Sequence, residues 1–186
     1  FAGEANGDSR FEGCLADASC ELRQRDASGG ETYNKNMGGI VGLVNLINLA
    51  DTDGVMEFVD CTNAAKIVVS KNWNDGVSGV GGIIGFVTQS ENNKGISQAG
   101  LLVDGCVNLA DFDNTYDGSA SVTLGGVVGS VNTMNAAFCP RVEILHCSNY
   151  GRLGSELRLV YYVGGILGHY NLASLRMDGC VNYGTV

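Results

Sequence analysis

The chain repeats two short motifs, and this repetition limits the fold more than any other feature of the sequence. A glycine-rich motif, in which two glycines precede two aliphatic residues and a third glycine, begins at residues 38, 81, 125 and 164. A second motif, Cys-x-Asn, alternates with it and begins at Cys61, Cys106, Cys147 and Cys180. Two motifs that alternate at a period of tens of residues are typical of stacked-repeat proteins. The sequence therefore predicts a repeat protein.

The spacing of the motifs divides the chain into units of similar length. The glycine-rich motifs are 43, 44 and 39 residues apart, and a degenerate copy of the second motif occurs at Cys14, where Ala16 replaces the asparagine. We expect a single repeat domain with units at residues 1–36, 37–80, 81–124, 125–163 and 164–186, the first and last incomplete. Because the chain lacks an initiator Met and stops within a unit, we also expect it to be a piece of a longer protein.

Three short apolar runs in each unit predict strands. The runs are rich in β-branched residues and are bounded by Asn, Asp, Gly and Ser. Runs that return at the same phase in every unit predict an all-β fold, a parallel β-solenoid of about four to five coils with long loops. Ile40 and its equivalents should form an apolar column on one face, and Val41 and its equivalents should face the other way. A propeller has a similar period but needs four antiparallel strands per repeat.

The charge of the chain excludes two classes of partner. The 186 residues carry a formal net charge of −9. Nucleic acid and anionic lipid surfaces require clustered Lys and Arg, so we expect neither as a partner. The sequence contains no apolar run of roughly eighteen residues, so we predict no membrane span in this segment. The expected partners are neighbouring repeats, copies of the chain itself, or a host or microbial glycan or protein.

Five of the seven cysteines share one phase of the repeat. Since each sulfur can form only one disulfide, we predict a column of free thiols that act as small apolar residues. The column comprises Cys14, Cys61, Cys106, Cys147 and Cys180. The chain has no CxxC pair, so the cysteines do not indicate a zinc site. Cys20 and Cys139 are off phase, and bridges from Cys20 to Cys14 or from Cys139 to Cys147 stay open.

The asparagines of the second motif predict a structural ladder. A buried Asn side chain at a coil corner can bond to the backbone of its own turn and to the equivalent Asn of the next coil. The ladder residues are Asn63, Asn108, Asn149 and Asn182. We assign them no catalytic role.

Two candidate binding sites depend on loops. The string Asn-Leu-Ala-Asp-x-Asp occurs twice and offers the oxygen ligands that Ca²⁺ favours. The candidate calcium ligands are Asp51, Asp53, Asp111, Asp113 and Asp117. Ordinary Asx turns are the competing interpretation, and no other cofactor is expected. Trp73 lies in a polar loop and is the candidate glycan contact.

An enzyme acting on polysaccharides would need two carboxylates at a fixed separation. The carboxylates nearest in phase are Asp60, Asp104 and Asp178, but Asp60 is offset by one residue and no basic column faces them. We therefore predict a protein that is not an enzyme. A small carbohydrate-active or glycan-binding β-helix is the alternative.

The pairing of a Gly-Gly-aliphatic-aliphatic-Gly strand with a Cys-x-Asn strand resembles the GLUG-type repeats of bacterial cell-surface, adhesin-like proteins. The resemblance covers roughly residues 37–186. It implies a right-handed coil and a surface-exposed, extracellular module that serves as a stalk, spacer or adhesion surface. A second hypothesis is a fibre subunit that stacks head-to-tail through open coil ends.

Overall fold

The fold is that of a computed structural model, which describes residues 2–23, 36–46, 54–69, 78–89, 100–114, 122–133, 140–154, 160–171 and 173–186. These residues contain only strands and turns, and no helix among them could cross a membrane. All pairs of neighbouring strands are parallel, and each pair joins one coil to the next. The predicted parallel β-solenoid is confirmed.

The described strands belong to five coils. The first coil contains β1 (Ala2–Asn6), β2 (Arg10–Glu12), β3 (Leu15–Ala16) and β4 (Glu21–Arg23). The second contains β5 (Met37–Gly38), β6 (Val41–Asn45), β7 (Val55–Val59), β8 (Thr62–Asn63) and β9 (Lys66–Val69). The third contains β10 (Ser78–Gly81), β11 (Ile84–Thr88), β12 (Gly100–Asp104), β13 (Val107–Asn108) and β14 (Phe112–Asn114). The fourth contains β15 (Val122–Gly125), β16 (Val128–Asn132), β17 (Arg141–Leu145) and β18 (Ser148–Asn149). The fifth contains β19 (Val160–Gly164), β20 (Leu167–Asn171), β21 (Ser174–Asp178) and β22 (Val181–Asn182).

Strands of equal phase stack into five sheets, numbered here in the order in which a coil passes through them. Sheet 1 contains β5, β10, β15 and β19, and sheet 2 contains β1, β6, β11, β16 and β20. Sheet 3 contains β2, β7, β12, β17 and β21, sheet 4 contains β3, β8, β13, β18 and β22, and sheet 5 contains β4, β9 and β14. The sequence predicted three strands per coil. The structure has five sheets because the glycine-rich motif joins a strand of sheet 1 to a strand of sheet 2, and a short strand of sheet 4 follows each cysteine after the strand of sheet 3.

The bend in the glycine-rich motif directs two neighbouring residues into the same core. Ile40 and Val41 are both fully buried, and their N–H groups both donate to the carbonyl oxygen of Ile83 at 3.0 Å. In a straight strand, successive side chains point to opposite faces and successive N–H groups do not share one acceptor. The prediction that the Ile40 and Val41 columns face opposite ways is therefore wrong, because the chain turns between them.

The buried apolar side chains form two clusters. The larger cluster lies between sheets 2, 3 and 4 and contains Phe58 and the cysteines. The smaller cluster lies between sheets 1 and 5 and is centred on Phe112. The second, third and fourth coils therefore contribute to both cores, and their described residues pass from one core to the other at the glycine-rich bend and at the turn after Cys-x-Asn.

The first coil extends further than the sequence indicated. β1 pairs with β6 in register, with Ala2 opposite Val41 and Ala5 opposite Val44. Ala5 is buried in the larger core. The repeat motifs identified this coil only through Cys14. The reason is that Ala2, Glu4 and Ala5 stand where the second coil has aliphatic residues.

Candidate functional site

The asparagines of the Cys-x-Asn motif form a column of hydrogen-bonded side chains. Nδ2 of Asn63 donates to Oδ1 of Asn108 at 2.9 Å, and Nδ2 of Asn108 donates to Oδ1 of Asn149 at 2.7 Å. The column continues from Asn149 to Asn182 at 2.8 Å. Asn108 also donates to the carbonyl oxygen of Ala110 at 3.0 Å and accepts from its N–H group at 3.4 Å. All the donors and acceptors of this buried amide are therefore used, as a buried polar group requires.

The second glycine of each glycine-rich motif contacts this column. A Cβ atom on Gly82 would lie 2.5 Å from Cγ of Asn108, far inside van der Waals contact. The same overlap would occur at each other glycine of the set. The paired columns consist of Gly39, Gly82, Gly126 and Gly165 on one side and Asn63, Asn108, Asn149 and Asn182 on the other. We call this line of contact the waist. Only a residue without a side chain allows the two motifs to meet there.

The cysteines line the larger core beside the waist. Sγ of Cys106 lies 3.6 Å from the carbonyl oxygen of Asp104 in its own coil and 3.4 Å from that of Phe58 in the preceding coil. A hydrogen bond with the thiol of Cys147, together with burial, raises the pKa of Cys106 to about 12. A hydrogen bond with Cys106 and burial likewise raise the pKa of Cys61. These thiols stay protonated and are therefore poor nucleophiles and metal ligands.

The described cysteines are all free thiols. They are Cys14, Cys20, Cys61, Cys106, Cys147 and Cys180. The bridge from Cys14 to Cys20 that the sequence left open is therefore not formed. Cys139 lies outside the described residues.

A left-handed backbone corner precedes each cysteine of the column. Asp60 and His146 both have φ of 52°, and glycines occupy the other copies. The full set is Gly13, Asp60, Gly105, His146 and Gly179. Asp, His and Gly are among the residues that adopt this conformation most readily. Sequence reasoning missed this corner, although glycine before cysteine in three copies was a usable signal.

The three carboxylates considered for catalysis do not converge. Asp104 and Asp178 share a column in sheet 3, with Leu145 between them. Oδ1 of Asp104 lies 2.8 Å from Nδ1 of His146. Asp60 lies at the left-handed corner instead. Leu145 therefore occupies the rung next to Asp104, and Asp178 lies two rungs from Asp104, at about 4.8 Å per rung.

An open groove lies on the outer side of the turn that connects sheet 4 to sheet 5. Its volume is about 490 Å³, and residues of the second, third and fourth coils line it. Nζ of Lys66 lies 2.9 Å from Oδ2 of Asp113. The backbone N–H group of Arg152 donates to Oδ1 of Asp111 at 2.8 Å, and its guanidinium group lies 3.8 Å from Oδ2. The charged side chains of the groove thus form two pairs of opposite charge, and their net charge is zero.

A column of apolar residues starts at the groove, which its first two members, Ala64 and Leu109, line. The residue after each ladder asparagine is Ala64, Leu109, Tyr150 or Tyr183. Leu109 and Tyr150 are each 51% exposed, and Tyr183 is 63% exposed. The rings of Tyr150 and Tyr183 stack with centroids 4.7 Å apart and an interplanar angle of 15°. Sequence reasoning missed this column because its residue types differ from coil to coil.

The predicted loop sites are only partly described. Of the candidate calcium ligands, Asp111 and Asp113 form the ion pairs of the groove, and no group of three metal-ligating side chains occurs within the described residues. Asp51, Asp53 and Asp117 lie outside the described residues, as does the candidate glycan contact Trp73. Calcium and Trp73 therefore stay predictions.

Comparison with known proteins gives a similarity to Halomucin of Haloquadratum walsbyi, a cell-surface protein. The two are 27% identical over 110 residues, which cover 58% of this chain and 1% of Halomucin. The matched part is therefore a very small portion of that relative. No protein-family model matches the chain, and no solved structure matches it. The resemblance to GLUG-type repeats accordingly rests on the two motifs alone.

Proposed function

We propose that the chain is a non-catalytic β-solenoid module of an extracellular, cell-surface protein. In this proposal it serves as a rigid stalk or spacer and presents an adhesion surface. The observation that carries the proposal is the in-register stack of five coils, four of which are tied together by one hydrogen-bonded asparagine column. At about 4.8 Å per coil, five coils rise only about 20 Å. A module of this size adds reach to a protein mainly as one part of a longer array.

The state of the carboxyl groups favours a structural role over catalysis. Arg141 holds the pKa of Glu143 below its ordinary value, and Arg10 does the same for Glu12. The backbone N–H group of Ser19 lowers the pKa of Asp17. A glycosidase needs an acid whose pKa is raised so that it carries a proton near neutral pH. Among the described carboxyl groups with a shifted pKa, every shift is in the opposite direction.

The proposed location is supported by the similarity to Halomucin and is tested directly on cells. Antibodies raised against the purified chain should label intact cells of the organism that produces it, and permeabilisation should add little signal. Labelling that appears only after permeabilisation would overturn the proposal. The alternative of a carbohydrate-active enzyme predicts that the purified chain releases reducing ends from polysaccharides, and we expect no such release.

Head-to-tail stacking into fibres is the weaker alternative. The strands of the first and fifth coils do leave open sheet edges. If a second copy continued the stack in register, however, Arg176 would lie opposite Arg10 of the next copy, since both occupy one column of sheet 3. Asn182 would lie opposite Ala16, whose methyl group cannot accept its hydrogen bond. Like charges and a buried amide without a partner both oppose this contact.

Small-angle scattering across a concentration series tests the fibre alternative. We expect a particle whose size does not depend on concentration. Growth into long rods as the concentration rises would favour a filament subunit instead.

A further inference from the structure

We infer that the groove between Lys66 and Arg152 binds a saccharide built from neutral sugar units. The inference rests on the proposed function, since it assigns a ligand class to the adhesion surface. The groove volume of about 490 Å³ falls within the range of roughly 300–1,000 Å³ that is typical of ligand sites. Because three successive coils line the groove, a bound chain can run along the axis of the solenoid.

The charge pattern of the groove selects an uncharged polar ligand. Lys66 is paired with Asp113, and Arg152 is paired with Asp111. A cation or an anion would have to compete with a charge that is already in place. A hydroxyl group both donates and accepts, so it can bond to a carboxylate oxygen and to a cationic N–H group without disrupting either pair. The four side chains are 40–56% exposed, which leaves their outer polar atoms accessible.

The apolar column beside the groove supplies the second half of a saccharide site. A sugar ring has a face of C–H groups that packs against a flat aromatic or aliphatic surface, while its hydroxyl groups point outward. Leu109, Tyr150 and Tyr183 present such a surface on three successive coils. The stacking of the two tyrosine rings fixes their orientation before the ligand arrives, so binding orders few additional groups.

The apolar column also argues for an occupant. Large apolar side chains that are exposed together on one stripe are more informative than single exposed ones. Leu109 lines the groove together with the ion-paired side chains, and the two tyrosines continue the stripe onto the next coils, whereas a protein-binding patch has an apolar centre surrounded by a polar rim. This side-by-side arrangement matches a ligand that is itself apolar on its ring faces and polar at its edges.

Saturation-transfer NMR on the whole chain tests the inference. The probes are hexasaccharides of glucose, of mannose and of galactose, with a sulfated heparin hexasaccharide as the anionic comparison. We expect transfer to at least one neutral probe, with affinity insensitive to salt. Tyr150→Ala should weaken this binding by about tenfold or more, because it removes half of the stacked surface. Asp111→Asn should also weaken it while keeping the shape of the groove.

The matched control is Tyr170→Ala, since Tyr170 is 55% exposed but lies on sheet 2, outside the column that contains Leu109 and Tyr150. It should leave binding unchanged, and circular dichroism should show that all three variants keep the wild-type fold. The inference is overturned if none of the neutral probes binds, if the sulfated probe binds more tightly with strong salt dependence, or if Tyr170→Ala weakens binding as much as Tyr150→Ala. If antibodies label the surface of intact cells but any of these results is obtained, the proposed cell-surface module still stands and only the saccharide ligand is rejected.

Discussion

Two neighbouring columns of residues run along this solenoid under different constraints. The ladder position holds asparagine in four successive coils, from Asn63 to Asn182. The next position along the chain changes from Ala64 to Leu109 to Tyr150. Asn63, Asn108 and Asn149 are buried against glycine and use their amide groups for hydrogen bonds, whereas Leu109 and Tyr150 are exposed. The stacking of coils therefore restricts the interior residue type and leaves the adjacent surface residue free to vary.

Thiol reactivity should show the largest difference between the interior and the surface. Iodoacetamide at pH 8 should modify the exposed Cys20 readily and Cys106 about a thousandfold more slowly than an ordinary exposed thiol. The pKa of Cys106, about 12, leaves very little of this thiol as thiolate, and burial of the side chain blocks access of the reagent. Time-resolved peptide mass spectrometry measures both rates. In denaturant the two rates should become similar, and equal rates in the folded protein would contradict the buried column.

Removing one asparagine from the ladder should cause a large loss of stability for a single substitution. Asn108→Ala leaves the amides of Asn63 and Asn149 without their partner and creates a cavity. We expect a loss of about 3 kcal/mol in the free energy of unfolding, measured by urea denaturation. The matched control is Leu109→Ala on the exposed column, which should change stability by less than about 0.5 kcal/mol. Equal losses for the two variants would show that the columns do not differ.

Adding a methyl group to a glycine of the waist should also destabilise the fold. In Gly82→Ala the new Cβ atom would overlap Asn108 and the carbonyl oxygen of Gly126. We expect a loss of about 1–3 kcal/mol in the same denaturation experiment. Gly3→Ala is the control, because a Cβ atom there would meet no atom within 4 Å. A neutral Gly82→Ala would mean that the motifs do not need to touch.

Extending the ladder into the first coil should stabilise the protein slightly. Ala16 lies opposite Asn63, whose Oδ1 has no donor from that coil. In Ala16→Asn the new Nδ2 would donate to this oxygen, and we expect a gain of about 1 kcal/mol. Thermal unfolding monitored by circular dichroism measures the gain. A loss of stability would show that the first coil cannot hold a ladder residue.

The smallest effect should come from the charged outer face of sheet 3. The carboxylate of Glu143 lies 2.6 Å from Arg141, which lowers its pKa below the ordinary value of 4.5. A lowered pKa in the folded state adds stability above about pH 4.5, and this contribution is lost as the pH falls through the folded-state value. Glu143→Gln should therefore lose less stability than the wild type between neutral and acidic pH. Parallel pH curves for the two proteins would contradict this account.

The sequence predicted the architecture better than the site. The two motifs gave the parallel stack of coils, because in-register stacking places equivalent residues in equivalent surroundings and so repeats their types. The path of the chain within each coil was harder to predict from the sequence. Ile40 and Val41 seemed to alternate across one strand, but the bend between them places both in the larger core. The coil hand and the unit boundaries stay predictions.

The candidate groove could not be predicted from the sequence, for a physical reason. Lys66, Asp111 and Arg152 belong to three different coils and come together only because the turns after Asn63, Asn108 and Asn149 stack. Their residue types do not repeat, so periodicity gave no signal for them. Trp73, the residue that did attract attention as a glycan contact, was singled out by composition alone.

The sequence by itself determined that equal residues stack on equal residues, which sets the parallel β-solenoid and the columns of cysteine and asparagine. Only the tertiary structure decided what each column faces. Gly82 and Asn108 meet across 26 residues of chain because the coil passes twice between its two cores, and no local pattern encodes that path. The side chains within one column are related by the repeat, whereas contacts between columns depend on how each coil closes.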